Sequence, residues 1–279
     1  MLYRNETYDE ERALYGVRGA EIENCTFAGP ADGESALKES RDIQVKDCLF
    51  ELRYPFWHVT GAKIENARLT ETCRAAMWYD RDMEIKNSEL HGIKALRECR
   101  DVKIESSDVI SAEFGWKTRG VSIRNSSLEG EYPFLIAEDV EISGLRMKGK
   151  YSFQYVKNMV IRDSVLDTKD AFWHAENVTV YDSVIKGEYL AWYSKSLRLV
   201  RCKIIGTQPL CYCGNLILED CTMEGTDLAF EYSDVEATVK GNILSVKNPG
   251  DGFIRADSIG EIILDENRKR EKHCEITQG

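Results

Sequence analysis

The stretch "RDMEIKNSELHGIKALRECRDVKIESSDVI" (81–110) writes one pattern twice, first as "MEIKNSEL" (83–90) and then as "VKIESSDV" (102–109). Each copy alternates apolar and polar residues, places an Asn or Ser beside a small residue, and returns to an apolar one. A period of two on either side of a turn-forming pair reads as strand, bend, strand, and no helical period is present.

The same unit recurs around the anchors Ile85, Ile104, Ile123, Ile142, Ile161, Val180, Leu199 and Leu218, each 19 residues from the next. Looser copies centre on Ile22, Val45, Ile64 and Val239, with a last one in "EIILDENR" (261–268). Three residues before the anchors stand Asp82, Asp101, Gly120, Asp139, Asn158, Asn177, Ser196 and Asn215, types that tolerate turns and the left-handed backbone region. A unit this short cannot enclose a core, but units stacked in register bury a continuous interior. The expected fold is all-β, a single-stranded right-handed parallel β-helix of about 12 rungs, forming a rod ~60 Å long. One domain over 1–279 suffices, with 1–20 as N-terminal cap and 245–279 as C-terminal cap and tail.

The chain has 279 residues and a formal charge of −11, so phosphate backbones and anionic membranes meet net repulsion, and no Lys/Arg run offsets it. Neither nucleic acid nor a membrane is an expected partner. The opening "MLYRNETYDEERALYG" carries acids and no apolar h-region, so no secretory signal is expected and the cytoplasm is the expected address. Of the nine cysteines, none forms a CxxC pair, and "CYC" (211–213) is too close for zinc-ligand spacing. Cys25, Cys48, Cys202 and Cys221 stand three residues after an anchor, where Ser126, Ser164 and Ser183 stand in other copies, so they are expected to be buried, unpaired and structural. No metal and no cofactor is expected: the glycines form neither GxGxxG nor a P-loop.

The repeat resembles the pectin lyase-like superfamily of right-handed β-helices. "DGESALKE", "LRYPFWH", "TETCRAAMWYD", "TKDAFWHAENV" and "TQPLCYC" resemble a bacterial family of β-helix proteins of unknown function. The resemblance covers nearly the whole chain and implies the fold, but it brings no reaction with it.

The second half of each unit varies, and "FWH" occurs there twice, at 56–58 and 172–174. One row, Leu37, Phe56, Met77, Leu96, Gly115, Phe134, Phe153, Phe172, Ala191 and Leu210, is apolar apart from one glycine and faces the core. The next position holds all five tryptophans, Trp57, Trp78, Trp116, Trp173 and Trp192, and strand alternation turns it outward. The row after that, Glu39, His58, Tyr79, Glu98, Lys117, Ile136, Tyr155, His174, Tyr193 and Tyr212, is buried by strict alternation and exposed by a bend, and the sequence leaves both open.

Two functions follow. In the first, the indoles are a platform for an oligosaccharide that the protein binds and, as a hydrolase or lyase, cleaves; the catalytic candidates are His58, Tyr79, Asp80, Arg97, Glu98 and His174. Asp80 with Glu98 is the carboxylate pair that glycoside hydrolysis would need, and Arg97, His58 and Tyr79 supply the acid and base of a lyase. Against it, the paired aspartates of polygalacturonase-like β-helices and the acidic calcium cluster of pectate lyases are missing. In the second, the protein is a non-catalytic scaffold whose aromatic face meets another protein or a second copy of itself. For the indoles the competing role is stacking within the coil, and for His58 and His174 it is a neutral, hydrogen-bonded histidine.

Overall fold

A computed structural model describes residues 1–29, 34–267 and 273–279; the chain is all-β, a parallel β-solenoid of about 14 turns, roughly 19 residues apart. Among the described residues there is no helix. Two compact units are distinguished, Met1–Glu141 and Ile142–Gly279.

In the first unit the strands Arg41–Lys46, Thr60–Glu65, Arg81–Lys86, Arg100–Glu105 and Arg119–Arg124 pair in parallel. Their register is that of the anchors: Val45 faces Ile64, Ile64 faces Ile85, Ile85 faces Ile104 and Ile104 faces Ile123. Alternation then buries Met83 and Ile85 and turns Arg81 and Lys86 outward. After a corner, Arg68–Leu69, Glu89–His91 and Asp108–Ile110 form a second face. A third is the small parallel sheet of Phe56–Trp57, Met77–Trp78 and Leu96–Arg97.

The corners explain the Asx-rich positions. Asp82, Asp101, Asp139, Asn158, Asn177 and Asn215 all have φ between 52° and 55°, as their residue types suggest. Gly120 takes the same left-handed slot (φ 69°), and a Cβ there would meet Oδ1 of Asp101 at 2.7 Å, so that carboxylate would have to turn aside. At the opposite corner the small residues form ladders. The amide of Ser88 donates to Oγ of Ser107 (3.1 Å), and the amide of Ser107 donates to Oγ of Ser126 (3.1 Å). Cys25, Cys48, Cys202 and Cys221 fill this row, buried and free. Phenylalanines stack through the interior, Phe27 on Phe50 at 4.7 Å, and each contributes about 2 kcal/mol by burial.

In the second unit Lys157–Arg162, Glu176–Tyr181 and Lys195–Val200 repeat the long face, Ile161 opposite Val180 and Val180 opposite Leu199. From Leu216–Glu224 onward the strands run on through a corner. Leu218 faces Ala237, and Val239 faces Cys221 after a register shift. The expected anchor Val239 is therefore displaced: Ala237 keeps the 19-residue period, and the shortened corner brings Val239 beside the thiol row. Likewise Ile262 faces Val246, and the last copies centre on Ile254 and Ile276. Arg268 of "EIILDENR" and the rest of 268–272 lie outside the described residues.

Strand pairing continues into both expected caps. Leu2–Arg4 pairs with Glu21–Glu23, Thr7–Tyr8 with Thr26–Phe27, and Cys274–Gln278 with Gly252–Ala256. These added turns bring the count to about 14 instead of 12.

Candidate functional site

The apolar row behaves as expected: Leu37, Phe56, Met77, Leu96, Phe134, Phe153, Phe172, Ala191 and Leu210 are all buried. The row two residues later has left-handed backbone throughout, from Glu39 (φ 61°), His58 (59°) and Tyr79 (61°) to His174 (54°), Tyr193 (61°) and Tyr212 (60°). A left-handed residue turns the corner and breaks strand alternation, so the row faces solvent: Tyr79 is 38% exposed, Tyr155 48% and Tyr193 44%.

The tryptophans between these rows are half-buried. In the first unit their faces are covered in sequence. Lys38 Nζ lies 4.4 Å over Trp57, Trp57 stacks on Trp78 at 5.8 Å, and the Arg97 guanidinium lies 5.4 Å from the rings of both Trp78 and Trp116. Such a stack of cations and indoles ties successive turns together. His58 lies on Tyr79 at 5.0 Å beside it. Nε1 of Trp57 and of Trp78 is buried without a hydrogen-bond partner, whereas Trp116 Nε1 donates to the Tyr132 carbonyl (2.6 Å).

His58 and Tyr79 stack on each other and Arg97 meets Glu98, but the carboxylate pair of this unit does not converge. Asp80 is fully buried in the inner corner, in the slot held by Ser40, Val59, Cys99 and Thr118 on other turns. Its Oδ1 accepts the Val59 amide (2.8 Å), its Oδ2 has no partner, and burial pushes its carboxyl well above the ordinary range, which keeps it neutral. Glu98 is instead on the outer row, its Oε1 3.3 Å from Arg97 Nε; Arg97 also approaches Glu113 at 3.8 Å. A neutral acid sealed in the core and a carboxylate held by a stacked arginine are not a pair flanking one external bond.

In the second unit, Trp173 stacks on Trp192 at 5.5 Å, and their Nε1 atoms donate to the carbonyls of Tyr189 (2.7 Å) and Gln208 (2.8 Å). The outer row is an aromatic ladder: Tyr155 on His174 at 4.8 Å, His174 on Tyr193 at 5.1 Å and Tyr193 on Tyr212 at 4.8 Å, with interplanar angles of 9°, 10° and 12°. Tyr232 continues it at 5.8 Å and 28°. Burial, with the Glu231 carboxylate next, pushes the Tyr212 hydroxyl up to about 12, so it stays a donor. Three tyrosines of this ladder, Tyr155, Tyr193 and Tyr212, stood in the sequence row beside His174 without being singled out. Their shared spacing of 19 was the available signal.

Among the described residues no group of three His, Cys, Asp or Glu could hold a metal. Depressions of about 250, 400 and 390 Å³ lie over the long strands, lined by Asp42 and Asp82, by Lys103 and Arg124, and by Asn215 and Asp251. The indoles and the outer aromatic row line none of these three.

No curated protein matches the chain. Solved structures resemble it at low identity. The tailspike protein of E. coli bacteriophage HK620 is 9% identical, with 94% of this chain and 60% of the tailspike covered and a TM-score of 0.39. The A-module of the Azotobacter vinelandii mannuronan C-5 epimerase AlgE4 is 9% identical, covering 100% and 89%, with a TM-score of 0.32. The Streptococcus pneumoniae surface protein and adhesin PfbA is 8% identical, covering 99% and 90%, with a TM-score of 0.34. The chain thus spans about 60% of the tailspike's length, and likenesses at these scores carry no argument about function. Residues 1–277 match the model of one family, and the chain belongs to it: Protein of unknown function (DUF3737).

Proposed function

We propose that the protein is a carbohydrate-binding β-solenoid that holds an oligosaccharide along the outer row of its second unit and does not cleave it. The observation that carries this is the ladder Tyr155, His174, Tyr193 and Tyr212, one ring per turn, with the first three rings exposed and Tyr212 half-buried. Stacked rings use their faces on one another, so a ligand meets their edges and a line of phenolic hydroxyls and imidazole nitrogens. A polyhydroxylated chain suits that surface better than a flat apolar one. The tryptophans take a supporting role, since Lys38, Arg97 and neighbouring indoles occupy their faces in the first unit. Nine free thiols fit a reducing, cytoplasmic setting.

A glycan array read by intrinsic fluorescence tests the proposal on wild type and on Tyr193→Ala. Saturable binding weakened about tenfold or more by the substitution is expected. No response to any glycan would sink it and favour a protein-binding scaffold. Product analysis on the bound glycan is expected to find no cleavage; products that vanish in His58→Ala or Glu98→Gln would restore the hydrolase or lyase.

A further inference from the structure

The ladder has a direction, a spacing and an end. Its first three steps measure 4.8, 5.1 and 4.8 Å, close to the length of one pyranose unit in an extended chain. The fourth step, to Tyr232, opens to 5.8 Å and tilts to 28°, so the regular repeat stops at Tyr212. Flanking charges are mostly cancelled: Lys157 pairs with Glu176 (3.7 Å) and Glu231 with Lys247 (3.1 Å). Lys195, two residues past Tyr193, is a single cation without a side-chain partner among the described residues, too little to define a polyanion track.

Resting on the carbohydrate-binding function, we propose that the ligand is a linear, uncharged oligosaccharide in extended conformation, lying parallel to the ladder with one sugar per turn. Four rings, Tyr155, His174, Tyr193 and Tyr212, define four subsites. A row of nearly parallel rings at near-constant spacing suits an extended chain, whose sugars repeat at one short step, while a coiled one leaves register after a unit or two. Affinity accumulates because each further sugar meets an already ordered ring without a second loss of rigid-body freedom.

The test compares oligomers of one to six units in an extended β-1,4-linked glucose series, a coiled α-1,4-linked glucose series and a carboxylated uronate series, by titration calorimetry. In the extended neutral series affinity should rise roughly threefold per sugar up to the fourth and then level. Tyr193→Ala should flatten that rise after the second sugar, with an unchanged circular-dichroism spectrum and a cooperative melt as the control for folding. Monomer and tetramer binding equally, coiled chains binding as well as extended ones, or uronates binding more tightly than neutral sugars would each overturn this ligand while leaving carbohydrate binding intact. Failure of all three series alongside a silent glycan array would overturn the parent function instead.

Discussion

The tripeptide Phe-Trp-His occurs twice in the same slot, and the two copies fold differently. Phe56 is extended and donates its amide to the following turn, to the Ala76 carbonyl (2.9 Å). Phe172 is left-handed (φ 59°) and donates to the preceding turn, to the Ser152 carbonyl (2.9 Å). The indoles differ in step. Trp116, Trp173 and Trp192 follow a left-handed residue, namely Gly115, Phe172 and Ala191, and each bonds the carbonyl sixteen residues ahead. Trp57 and Trp78 follow the extended Phe56 and Met77, and their N–H groups have no partner. Backbone conformation one residue upstream thus decides whether the indole reaches an acceptor.

Neither conformation belongs to the tripeptide. An amide can pair with the turn above or the turn below, and each turn must offer its carbonyls where its neighbour's amides point. The choice is therefore inherited along the stack and changes only where a residue permits both. Left-handed backbone costs a bulky residue about 1–2 kcal/mol. In the second copy the indole hydrogen bond offsets roughly half of that or more. Gly115 (φ 73°) is the first of the left-handed series: Leu96 before it is in a strand, and Phe134 after it has φ 60°.

The comparison breaks most severely at that glycine. A Cβ on residue 115 would lie 2.7 Å from the Phe134 ring in addition to the backbone strain. Gly115→Ala should therefore cost about 2–4 kcal/mol in urea unfolding. A loss below about 0.5 kcal/mol would mean that the changeover does not depend on the missing side chain.

A second difference lies one residue past the outer row, where Asp80 follows Tyr79 but Ser194 follows Tyr193. The Ser194 hydroxyl is satisfied by Cys213 Sγ (3.2 Å), whereas Asp80 keeps one carboxyl oxygen orphaned. With its folded pKa raised by desolvation, the carboxyl is protonated in both states below the unfolded value of about 4, where it costs nothing. As pH rises above that, the unfolded chain releases the proton while the folded one keeps it, so stability falls toward neutrality. Asp80→Asn keeps an acceptor for Val59 and removes the ionisation. It should be more stable than wild type at pH 7, with the gap shrinking as pH falls and closing near pH 4. A gap that does not change with pH would show that burial does not raise the Asp80 carboxyl above its unfolded value.

The sequence carried the solenoid because burial on one face of a repeated strand leaves a side-chain signature at every turn, as Ile85, Ile104 and Ile123 show. It carried the Asp and Asn corners for the same reason, since those residue types are selected by φ itself. The outer row stayed open between inward and outward because Tyr79 and Tyr193 are not types that announce left-handed backbone, so alternation and a bend could not be told apart. Indole exposure was hidden similarly: which groups cover a ring face depends on the neighbouring turn, and the cation stacked on Trp78 is Arg97, nineteen residues on. Asp80 could be paired with Glu98 from the sequence because nothing in its immediate neighbours, Tyr79 and Arg81, records that it occupies an inward slot.

The smallest expected effect isolates the indole hydrogen bond. Trp57→Phe and Trp173→Phe remove similar apolar area from half-buried stacked rings, so their packing losses should nearly cancel in the difference. Trp57→Phe also discards a buried donor that has no acceptor, which offsets part of its loss. Trp173→Phe breaks a 2.7 Å bond and leaves the Tyr189 carbonyl without that donor. The second substitution should therefore be the more damaging by about 1 kcal/mol in paired urea melts. Equal losses would mean that the hydrogen bond does not help to hold the left-handed turn, and the offset for the backbone strain at Phe172 would have to come from the amide bond to Ser152 alone.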